Sequence, residues 1–454
     1  MSGVGSLVHE LPATPDLLAL HRLDPSRYPC LLETTATGPG EQCFDILFAF
    51  PRERLVLDNN WRLLTDGGPV TSDDFLGELG RRLQWVTDSA AAMPGLPFVG
   101  GWVVYAGYEL AQQIEPKLRL TPGPGPVALA LRVGIAVIVD RNSAWAAIVA
   151  EETEASSVSA ILADIAGLAR VPPHSRPAKI VNSDVREDDE GEFLAAVHRV
   201  QAHISAGDVY QANISRRWLA EIADGAEPWM LYERLRTANP APFSGILTSG
   251  AGHWVLSSSP ERLLRIRGRQ IETRPIAGTR PRRPGEPDDI RRAELVANPK
   301  ERAEHVMLID LERNDLGKVC TAGSVQVAEF MAVETYAHVH HIVSVVTGEL
   351  RPDLHAADAL RAVFPGGTIT GCPKPRCMSL IDEIEGRPRG AYTGTLGYIS
   401  RDGDADFNIL IRTMVCHDRS ITIHAGSGIV ADSIPERELE ETRAKAHGML
   451  LSLT

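Results

Sequence analysis

Two kinds of hydrophobic pattern alternate along the chain. Residues 44–50 and 128–139 are short runs rich in Val, Ile, Leu and Phe, which is typical of strands, and residues 73–85 have the amphipathic spacing of a helix. Residues 170–186 are rich in Pro and Ser and indicate a surface connection. The pattern therefore predicts three parts: an N-terminal region (1–170), a linker (171–186) and a larger C-terminal region (187–454).

The pattern beyond the linker predicts a mixed fold. Apolar residues at helical spacing behind Asp189 indicate a helix that runs to Gly207. Strand-like runs follow at 209–220, 243–248, 254–258, 263–267, 270–273, 391–400, 407–416 and 420–425. Further helices are predicted at 299–311, 356–363, 374–384 and 435–451. Most of these strands follow one another through short turns, which favours antiparallel pairing. We therefore predict an α+β fold with large antiparallel sheets packed as a sandwich and surrounded by helices.

Composition and charge exclude several classes of function. The 454 residues include 46 Lys and Arg against 59 Asp and Glu, a formal net charge of −13. This acid excess argues against binding to nucleic acid or to an anionic membrane surface, because both need a basic stripe. The most apolar stretch, 126–139, is interrupted by Arg132 and is too short to cross a bilayer. The six cysteines show no Cys-x-x-Cys spacing, and residues 1–11 show no signal peptide, so we expect a cytoplasmic protein with reduced thiols.

Two acidic helical steps are candidates for a metal site. Glu301 and Glu304 are three residues apart on one predicted helix, and Glu438 and Glu441 are three apart on another. Residues at this spacing share a helix face, so each pair presents two carboxylates side by side. Together the two faces would suit a hard cation such as Mg²⁺, which prefers oxygen ligands. The alternative is two solvated helix faces whose carboxylates pair with neighbouring basic residues.

Basic and glycine-rich elements lie in the same part of the chain. Arg412, Lys374 and Lys445 would suit a small polyanionic substrate, although each is individually typical of a surface residue. Gly426 and Gly428 formally match a dinucleotide-binding fingerprint, but the strand and acidic residue that a Rossmann unit needs downstream are missing. We expect these glycines to let a carboxylate approach backbone N–H groups.

Two further residues are candidates for proton transfer. His338, His340 and His341 cluster in one run, and a zinc site there would need ligands that the sequence does not identify. His341 acting alone as a donor or general acid is the preferred interpretation. Glu261 could be a second acid–base carboxylate, or a turn residue paired with a neighbouring arginine.

Six collinear motifs together resemble the chorismate-utilising enzymes. They are PIAGTRPR (275–282), PKERAEHVMLIDLERNDLGKV (299–319), YAHVHHIVS (336–344), FPGGTITGCPK (364–374), IRT (411–413) and AGSGIVADS (425–433). The resemblance extends from about residue 190 to the C-terminus and implies the fold of anthranilate synthase component I.

The resemblance implies roles for individual residues. Glu304 and Glu441 would bind Mg²⁺ directly, with Glu301 and Glu438 reaching it through water. The residues expected to contact chorismate are Thr368, Lys374, Tyr398, Arg412, Gly426, Ser427, Gly428 and Lys445. The catalytic positions would be Glu261, His341, Gln211, Ala277 and Thr279. Glu261 and His341 would move protons as the C4 hydroxyl leaves.

Gln211 indicates which nucleophile the protein uses. Family members that add water carry a lysine general base at this position, and a neutral amide cannot deprotonate water. Ammonia needs no such base, so Gln211 favours the amine-transferring branch. No glutaminase-like cysteine motif is visible, which implies a separate glutamine amidotransferase subunit as the source of ammonia.

The product is predicted by a balance of features. The branch that aminates chorismate at C4, aminodeoxychorismate synthase component I, usually has a nucleophilic lysine where this chain has Ala277. YQAN (210–213) and FPGGTITG (364–371) resemble that branch, whereas Ala277 resembles anthranilate synthase component I. We favour amination at C4, with anthranilate formation as the alternative. In this interpretation Ala277 leaves room for a transient nucleophile, ammonia or water, at C2.

The N-terminal region contains a candidate tryptophan pocket. Feedback-inhibited relatives carry a Leu-Leu-Glu-Ser element, and this chain has Leu-Leu-Glu-Thr at 31–34. The candidate pocket residues are Thr34, Phe44, Asp45, Pro242, Phe243 and Ser244. The alternative is that they only pack between layers. A further alternative, a non-catalytic chorismate- or tryptophan-binding regulator, is disfavoured because Glu261, Glu304, His341 and Glu441 are all present.

Overall fold

The fold was analysed in a computed structural model. It describes residues 6–36, 43–83, 95–168, 179–182, 184–281, 293, 297, 299–335 and 339–454. Within these ranges the side chains of 277, 279–281, 299–301, 335 and 339–341 are not described.

Ten α-helices lie in the described ranges. They are α1 (Leu17–Leu23), α2 (Phe75–Arg82), α3 (Ala111–Ile114), α4 (Ala155–Leu168), α5 (Glu190–Ser205), α6 (Pro228–Ala238), α7 (Pro299–Gly317), α8 (Ala356–Val363), α9 (Lys374–Glu385) and α10 (Pro435–Leu451). Side-chain caps mark several helix starts. The Asp189 carboxylate accepts the Glu192 N–H at 3.1 Å at the start of α5, which is the local reason that this helix begins there.

The strands of the described ranges are numbered in chain order. They are β1 (Ser6–Glu10), β2 (Cys30–Glu33), β3 (Phe44–Leu57), β4 (Leu63–Thr65), β5 (Gly68–Pro69), β6 (Gly101–Ala106), β7 (Ala128–Asp140), β8 (Trp145–Glu151), β9 (Arg186–Glu187), β10 (Gln211–Glu221), β11 (Phe243–Gly250), β12 (His253–Ser259), β13 (Arg262–Arg267), β14 (Gln270–Thr273), β15 (Ile276–Pro281), β16 (Gln326–Thr335), β17 (Val339–Glu349), β18 (Gly371–Cys372), β19 (Thr395–Ser400), β20 (Ala405–Asn408), β21 (Thr413–His417) and β22 (Ser420–Ile429).

The strands form one large, curled antiparallel sheet. A continuous hydrogen-bonded path runs from β10 through β22, β21, β12, β11, β2, β3 and β7 to β6. It continues through β19, β20, β13, β14 and β17 to β16. The predicted α+β class with large antiparallel sheets is therefore confirmed.

Strands from before and after the predicted linker belong to the same sheet. β2 pairs with β11, and β6 pairs with β19, so the N-terminal and C-terminal regions are joined by backbone hydrogen bonds. β7 is buried along almost its whole length, which explains why its sequence is a nearly continuous apolar run rather than an alternating one. Most of the linker lies outside the described residues.

Helices cover the strands that carry the candidate site. Phe193, Val197 and Val200 of α5 pack against Ile214 of β10 and Ile429 of β22. Further along the same strand pair, Ala446 and Met449 of α10 join a core that contains β21 and β22 residues. This packing places the N-terminal half of α10, which carries two candidate metal ligands, beside the glycine-rich end of β22.

One predicted strand is interrupted in the structure. The run 407–416 was expected to be continuous, but it forms the end of β20 and most of β21, separated by residues 409–412. Arg412 has φ 52°, a left-handed conformation that is uncommon for residues other than glycine. The interruption of the strand therefore lies at Arg412, a candidate substrate ligand. Among the described helices, none is long and apolar enough to cross a membrane.

Candidate functional site

Glu261 provides a buried carboxyl group at the turn between β12 and β13. Its side chain is 5% exposed and accepts a hydrogen bond from Thr368 Oγ1 at 2.7 Å. Burial raises the pKa of Glu261 to about 7, against the opposing effects of the Thr368 hydroxyl and of two nearby cations. A carboxyl group with this pKa is partly protonated at neutral pH, so it can donate a proton to a leaving group.

Arg412 places a guanidinium near Glu261 that has no hydrogen bond or ion pair to a described residue. The interrupted backbone between β20 and β21 presents its guanidinium close enough to Glu261 and Glu441 for charge interaction. Within the described part of the chain, this guanidinium makes no hydrogen bond or ion pair. Burial lowers the pKa of Arg412, but an arginine remains charged. An arginine held in this way is suited to bind a carboxylate through paired hydrogen bonds.

The paired strands β10 and β22 form a glycine-lined wall. Asn213 is opposite Gly428 in the register, and both Gln211 and Asn213 are buried. Gln211 Nε2 donates to Glu304 Oε1 at 2.9 Å, and a Cβ on Gly428 would collide with that amide nitrogen. A Cβ on Gly426 would lie 2.6 Å from Asn213 Oδ1. Only glycine at positions 426 and 428 leaves room for the Asn213 and Gln211 amides against β22.

Glu304, Glu438 and Glu441 each lie beside residue 427 or 428 of β22. Glu304 contacts the Gln211 amide that lies over Gly428, and the Ser427 hydroxyl donates to Glu438. Lys445 Nζ lies 2.6 Å from Glu441 Oε1. Burial alone would raise the pKa of Glu441, but Lys445, the Ser427 hydroxyl and Arg412 together outweigh it, so the carboxyl pKa lies below its usual range.

The carboxylates suit a magnesium ion that takes only a few protein ligands. Glu304 and Glu441 lie on separate helices and offer the hard oxygen donors that Mg²⁺ prefers. No three acidic, histidine or cysteine side chains form a ligand cluster among the described residues. The Glu301 side chain is not described. The chemistry of these donors fits an ion that takes few protein ligands, which here would be Glu304 and Glu441.

His305 anchors the helix that carries Glu304. Its imidazole is buried, and Nε2 lies 2.7 Å from the Ser344 hydroxyl on β17. Burial lowers the pKa of His305 to about 4, so the ring is neutral. The contact holds α7 against the sheet, which fixes the direction from which the Glu304 carboxylate approaches.

Lys374 is not placed to bind substrate. Its ammonium forms a buried ion pair with Asp315 and also donates to the Val363 carbonyl at 3.0 Å. Both side chains are at least nine-tenths buried. The expected substrate contact is therefore corrected: Lys374 links α9 to α7, because a buried ammonium needs a carboxylate partner more than a solvated one does.

Tyr398 also lies outside the candidate active site, and Tyr392 lies in that site instead. The Tyr398 hydroxyl lies 3.3 Å from Arg267 and lines a separate cavity. Tyr392 instead directs its hydroxyl to within 2.6 Å of where a Cβ on Gly426 would lie. Its electrostatic interaction with Arg412 places both residues in the same site. Tyr392 was missed because nothing in the local sequence distinguishes the two tyrosines.

Tyr392 is held by two contacts to its ring. Its ring stacks on His424, with the centroids 5.4 Å apart, and the Arg389 guanidinium lies 5.5 Å from the ring centroid. Arg389 forms a buried ion pair with Glu385 at 2.7 Å. Burial raises the pKa of Tyr392 to about 12, so its hydroxyl stays protonated and can donate a hydrogen bond.

Other predicted catalytic positions can be located only by their backbone. Thr279 on β15 is the register partner of His341 on β17, and Ala277 is the partner of Ile342. The side chains of Ala277, Thr279 and His341 lie outside the described residues. Their roles remain predictions, although the register brings the two motifs to adjacent strands.

The candidate tryptophan pocket is a cavity of about 100 Å³ that is lined by residues from both the N-terminal and the C-terminal regions. Five of the six expected residues line it: Thr34, Phe44, Pro242, Phe243 and Ser244. Asp45 does not. Its carboxylate accepts from the Thr34 N–H at 2.9 Å and from Arg141 Nε at 2.7 Å, facing a different cavity. The correction follows from strand alternation, since Phe44 and Asp45 point to opposite faces.

Comparison with known proteins assigns this arrangement to a family. A family profile described as chorismate binding enzyme matches residues 36–451. Anthranilate synthase component 1 of Streptomyces coelicolor is 41% identical over 86% of this chain and 78% of its own length. Aminodeoxychorismate synthase component 1 of Klebsiella aerogenes is 36% identical over 98% of both chains. The crystal structure of anthranilate synthase component I from Streptococcus pneumoniae covers 91% of this chain and 93% of its own, with a TM-score of 0.80 and 30% identity.

Proposed function

Because the chain belongs to the chorismate-binding enzyme family, we propose that it aminates chorismate at C4, in a magnesium-dependent reaction, to give 4-amino-4-deoxychorismate. The observation that carries the choice of ammonia is the Gln211 amide. Gln211 donates to Glu304, and an amide in this position cannot act as the base that a water nucleophile needs. The proposal therefore selects ammonia.

The residues of the site have complementary roles in this reaction. Arg412 and the Tyr392 hydroxyl bind one carboxylate of chorismate, and Lys445 adds positive charge at the Gly426 carbonyl, 3.0 Å away. The protonated Glu261 carboxyl donates its proton to the C4 hydroxyl, which leaves as water. A C–N bond replaces the broken C–O bond, and the attacking nitrogen releases one proton.

Magnesium would be held by Glu304 and Glu441, with Glu301 and Glu438 as water-mediated neighbours. When bound, the ion would neutralise the ring carboxylate of chorismate and so ease departure of the hydroxyl. In this proposal the Gln211 amide, which donates to Glu304, and the Lys445 ammonium, which pairs with Glu441, would partly compensate the two carboxylates in the absence of the ion.

The ammonia would come from a separate glutamine amidotransferase subunit. Of the six cysteines, all of them described, five are buried and Cys372 is partly exposed. Burial raises the thiol pKa of Cys30, Cys320, Cys372, Cys377 and Cys416, which disfavours the thiolate that glutamine hydrolysis needs. The isolated chain is therefore expected to use ammonium salts and not glutamine.

A product assay tests the proposed function. Purified protein is incubated with chorismate, MgCl₂ and ammonium chloride, with and without aminodeoxychorismate lyase, and the products are separated and identified. We expect 4-aminobenzoate only when the lyase is present. Glutamine in place of ammonium is expected to give none. Direct formation of fluorescent anthranilate without the lyase would contradict amination at C4, and no turnover of chorismate in any arm would contradict an enzymatic role.

Anthranilate formation is the second candidate because of Ala277. Relatives of both names match this chain at comparable identity, and Ala277 lacks the nucleophilic side chain that the C4-aminating branch usually places there. In this candidate, ammonia attacks C2 and the C4 hydroxyl leaves, and the enolpyruvyl group is then lost as pyruvate. The assay above separates the two candidates by product.

A further inference from the structure

A second cavity lies apart from the candidate active site. It has a volume of about 360 Å³, within the range of about 300–1,000 Å³ that small-molecule sites have. Its walls come from the start of α1, from β2, β3 and β7, and from α6. Among the described residues that line it, none belongs to the candidate active site, and only Glu33 also lines the cavity of the candidate tryptophan pocket. The cavity is therefore a separate candidate binding site.

Two arginines that line this cavity have unused hydrogen-bond donors. Arg141 Nε donates to Asp45 at 2.7 Å, and Arg236 Nη1 donates to Glu33 at 3.0 Å. Toward the described residues, neither guanidinium donates a hydrogen bond through another nitrogen. The two side chains are 38% and 28% exposed, so a ligand in the cavity can reach their remaining N–H groups. Such guanidinium groups are suited to bind a carboxylate.

The two arginines are already neutralised by the carboxylates beside them. Glu33 and Asp45 are each 5% exposed. Each also accepts a hydrogen bond from a neutral donor, the Tyr232 hydroxyl at 2.8 Å and the Thr34 N–H at 2.9 Å. A simple anion would place an unbalanced negative charge next to two buried carboxylates, which is costly. The ligand therefore needs a positive group as well as a carboxylate.

Asp16 offers a partner for that positive group. It lines the same cavity and is exposed. Its Oδ1 accepts the Ala19 N–H at 3.0 Å at the start of α1, and Oδ2 accepts no hydrogen bond from a described residue. Asp16 and Arg236 interact electrostatically, but the described structure contains no ion pair between them. Opposite charges that line one cavity without contact suit a ligand that carries both charges.

We propose that this cavity binds the zwitterion of an apolar α-amino acid. The ligand carboxylate binds Arg141 and Arg236, and the ligand ammonium binds Asp16. A zwitterion adds no net charge, so it pairs with both signs without disturbing the existing ion pairs. Leu17 and Val139 also line the cavity, which favours an apolar ligand side chain over a polar one. This inference goes beyond the proposed function and does not depend on it.

Isothermal titration calorimetry of the full chain tests the site. L-Leucine and L-phenylalanine are the probes, near neutral pH and without chorismate. We expect saturable binding of at least one of them. The amide of that amino acid lacks the carboxylate, and the deaminated acid lacks the ammonium. Each analogue is expected to bind about ten-fold more weakly, the size of one hydrogen bond between charged groups.

Two variants assign the binding to this cavity. Asp16→Asn keeps an oxygen that can cap α1 and removes the charge, so we expect about ten-fold weaker binding of the amino acid and unchanged binding of the deaminated acid. Arg236→Lys keeps the charge beside Glu33 but loses the forked donors, so both ligands should bind more weakly. Asp189→Asn is the matched control, because Asp189 caps α5 in the same way outside this cavity, and we expect unchanged binding.

Three results would overturn the inference. The first is no saturable binding of either probe up to about 10 mM. The second is binding that neither Asp16→Asn nor Arg236→Lys weakens, which would place the amino acid elsewhere, such as in the cavity of the candidate tryptophan pocket, which neither residue lines. The third is a deaminated acid that binds as tightly as its amino acid. If Arg236→Lys does not fold, Asp16→Asn still decides, because Asp16 is exposed.

Discussion

At the scale of single residues, the environment of Glu261 determines its chemistry. The carboxyl is buried at a strand turn, accepts one hydrogen bond from Thr368 and lies near two cations that oppose the effect of burial. An exposed glutamate in the same sequence would be ionised at neutral pH and could not donate a proton. The sequence therefore identifies Glu261 as a candidate, but its protonation depends on the packing around it.

The first prediction concerns pH. A general acid works in its protonated form, so kcat/KM is expected to fall as the pH rises through about 7, the pKa of Glu261. Thr368→Val removes a hydrogen bond that lowers this pKa, so the midpoint should move to higher pH. The measurement is kcat/KM for chorismate from about pH 5 to about pH 9.

Thr370→Val is the control for this pH shift. Its hydroxyl is buried but bonds to the Gly366 carbonyl at 2.8 Å rather than to Glu261. We expect its midpoint to match that of the parent protein. If Thr368→Val left the midpoint in place, or lowered it, Glu261 would not be the group that titrates.

The second prediction distinguishes two tyrosines. Tyr392→Phe removes a hydroxyl beside Gly426 and Arg412, whereas Tyr398→Phe removes one that contacts Arg267 in the other cavity. We expect the KM for chorismate to rise about ten-fold in Tyr392→Phe, as for a hydrogen bond to a charged group, and to change little in Tyr398→Phe. Steady-state kinetics with saturating ammonium measure both. The reverse pattern would restore Tyr398 as the substrate ligand.

At the scale of elements, contacts between helices and strands bring the motifs together. His305 fastens α7 to β17, the Lys374–Asp315 pair fastens α9 to α7, and Ser427 joins β22 to α10 through Glu438. Several motif residues therefore hold elements in position rather than contact the substrate. Their spacing in the sequence does not distinguish these two uses, since both place polar residues near the same site.

The third prediction tests the structural use of Lys374. Lys374→Met leaves the Asp315 carboxylate buried with only its exposed partner, and we expect the free energy of unfolding to fall by about 3–5 kcal/mol. Lys318→Met is the matched control, because Lys318 pairs with the same carboxylate but is largely exposed, and we expect a loss of about 1 kcal/mol or less. Chemical denaturation of the two variants measures the difference. Equal losses would contradict the assignment, as would an unaltered stability with a raised chorismate KM in Lys374→Met.

At the scale of the whole molecule, a single curled sheet carries both the cavity of the candidate tryptophan pocket and the candidate active site. β19 carries Tyr398 of the cavity wall, and β20, its neighbour, leads directly to Arg412. Five of the expected tryptophan-pocket residues line that cavity, so a ligand bound there would contact strands that continue into the site.

The sequence by itself determined the helices and strands and the types of side chain that are available for chemistry. The antiparallel sheet, the helices that carry Glu304 and Glu441, the candidate acid Glu261 and the neutral Gln211 were all predictable, because hydrophobic periodicity and side-chain type are local properties. The boundaries of α5, α8 and α10 were also close to those predicted, whereas the strand predicted at 44–50 begins at Phe44 but continues to Leu57.

Only the tertiary structure decided which of these side chains lie together in the candidate active site. Tyr392 rather than Tyr398 lies beside Arg412, and Lys374 pairs with Asp315. The Asp45 carboxylate faces away from the cavity of the candidate tryptophan pocket. Among the described residues, the Asn213 amide oxygen beside Gly426 has no hydrogen-bond donor. These outcomes depend on strand register, on the left-handed backbone at Arg412 and on burial. They arise from contacts between segments far apart in the chain, which no local pattern specifies.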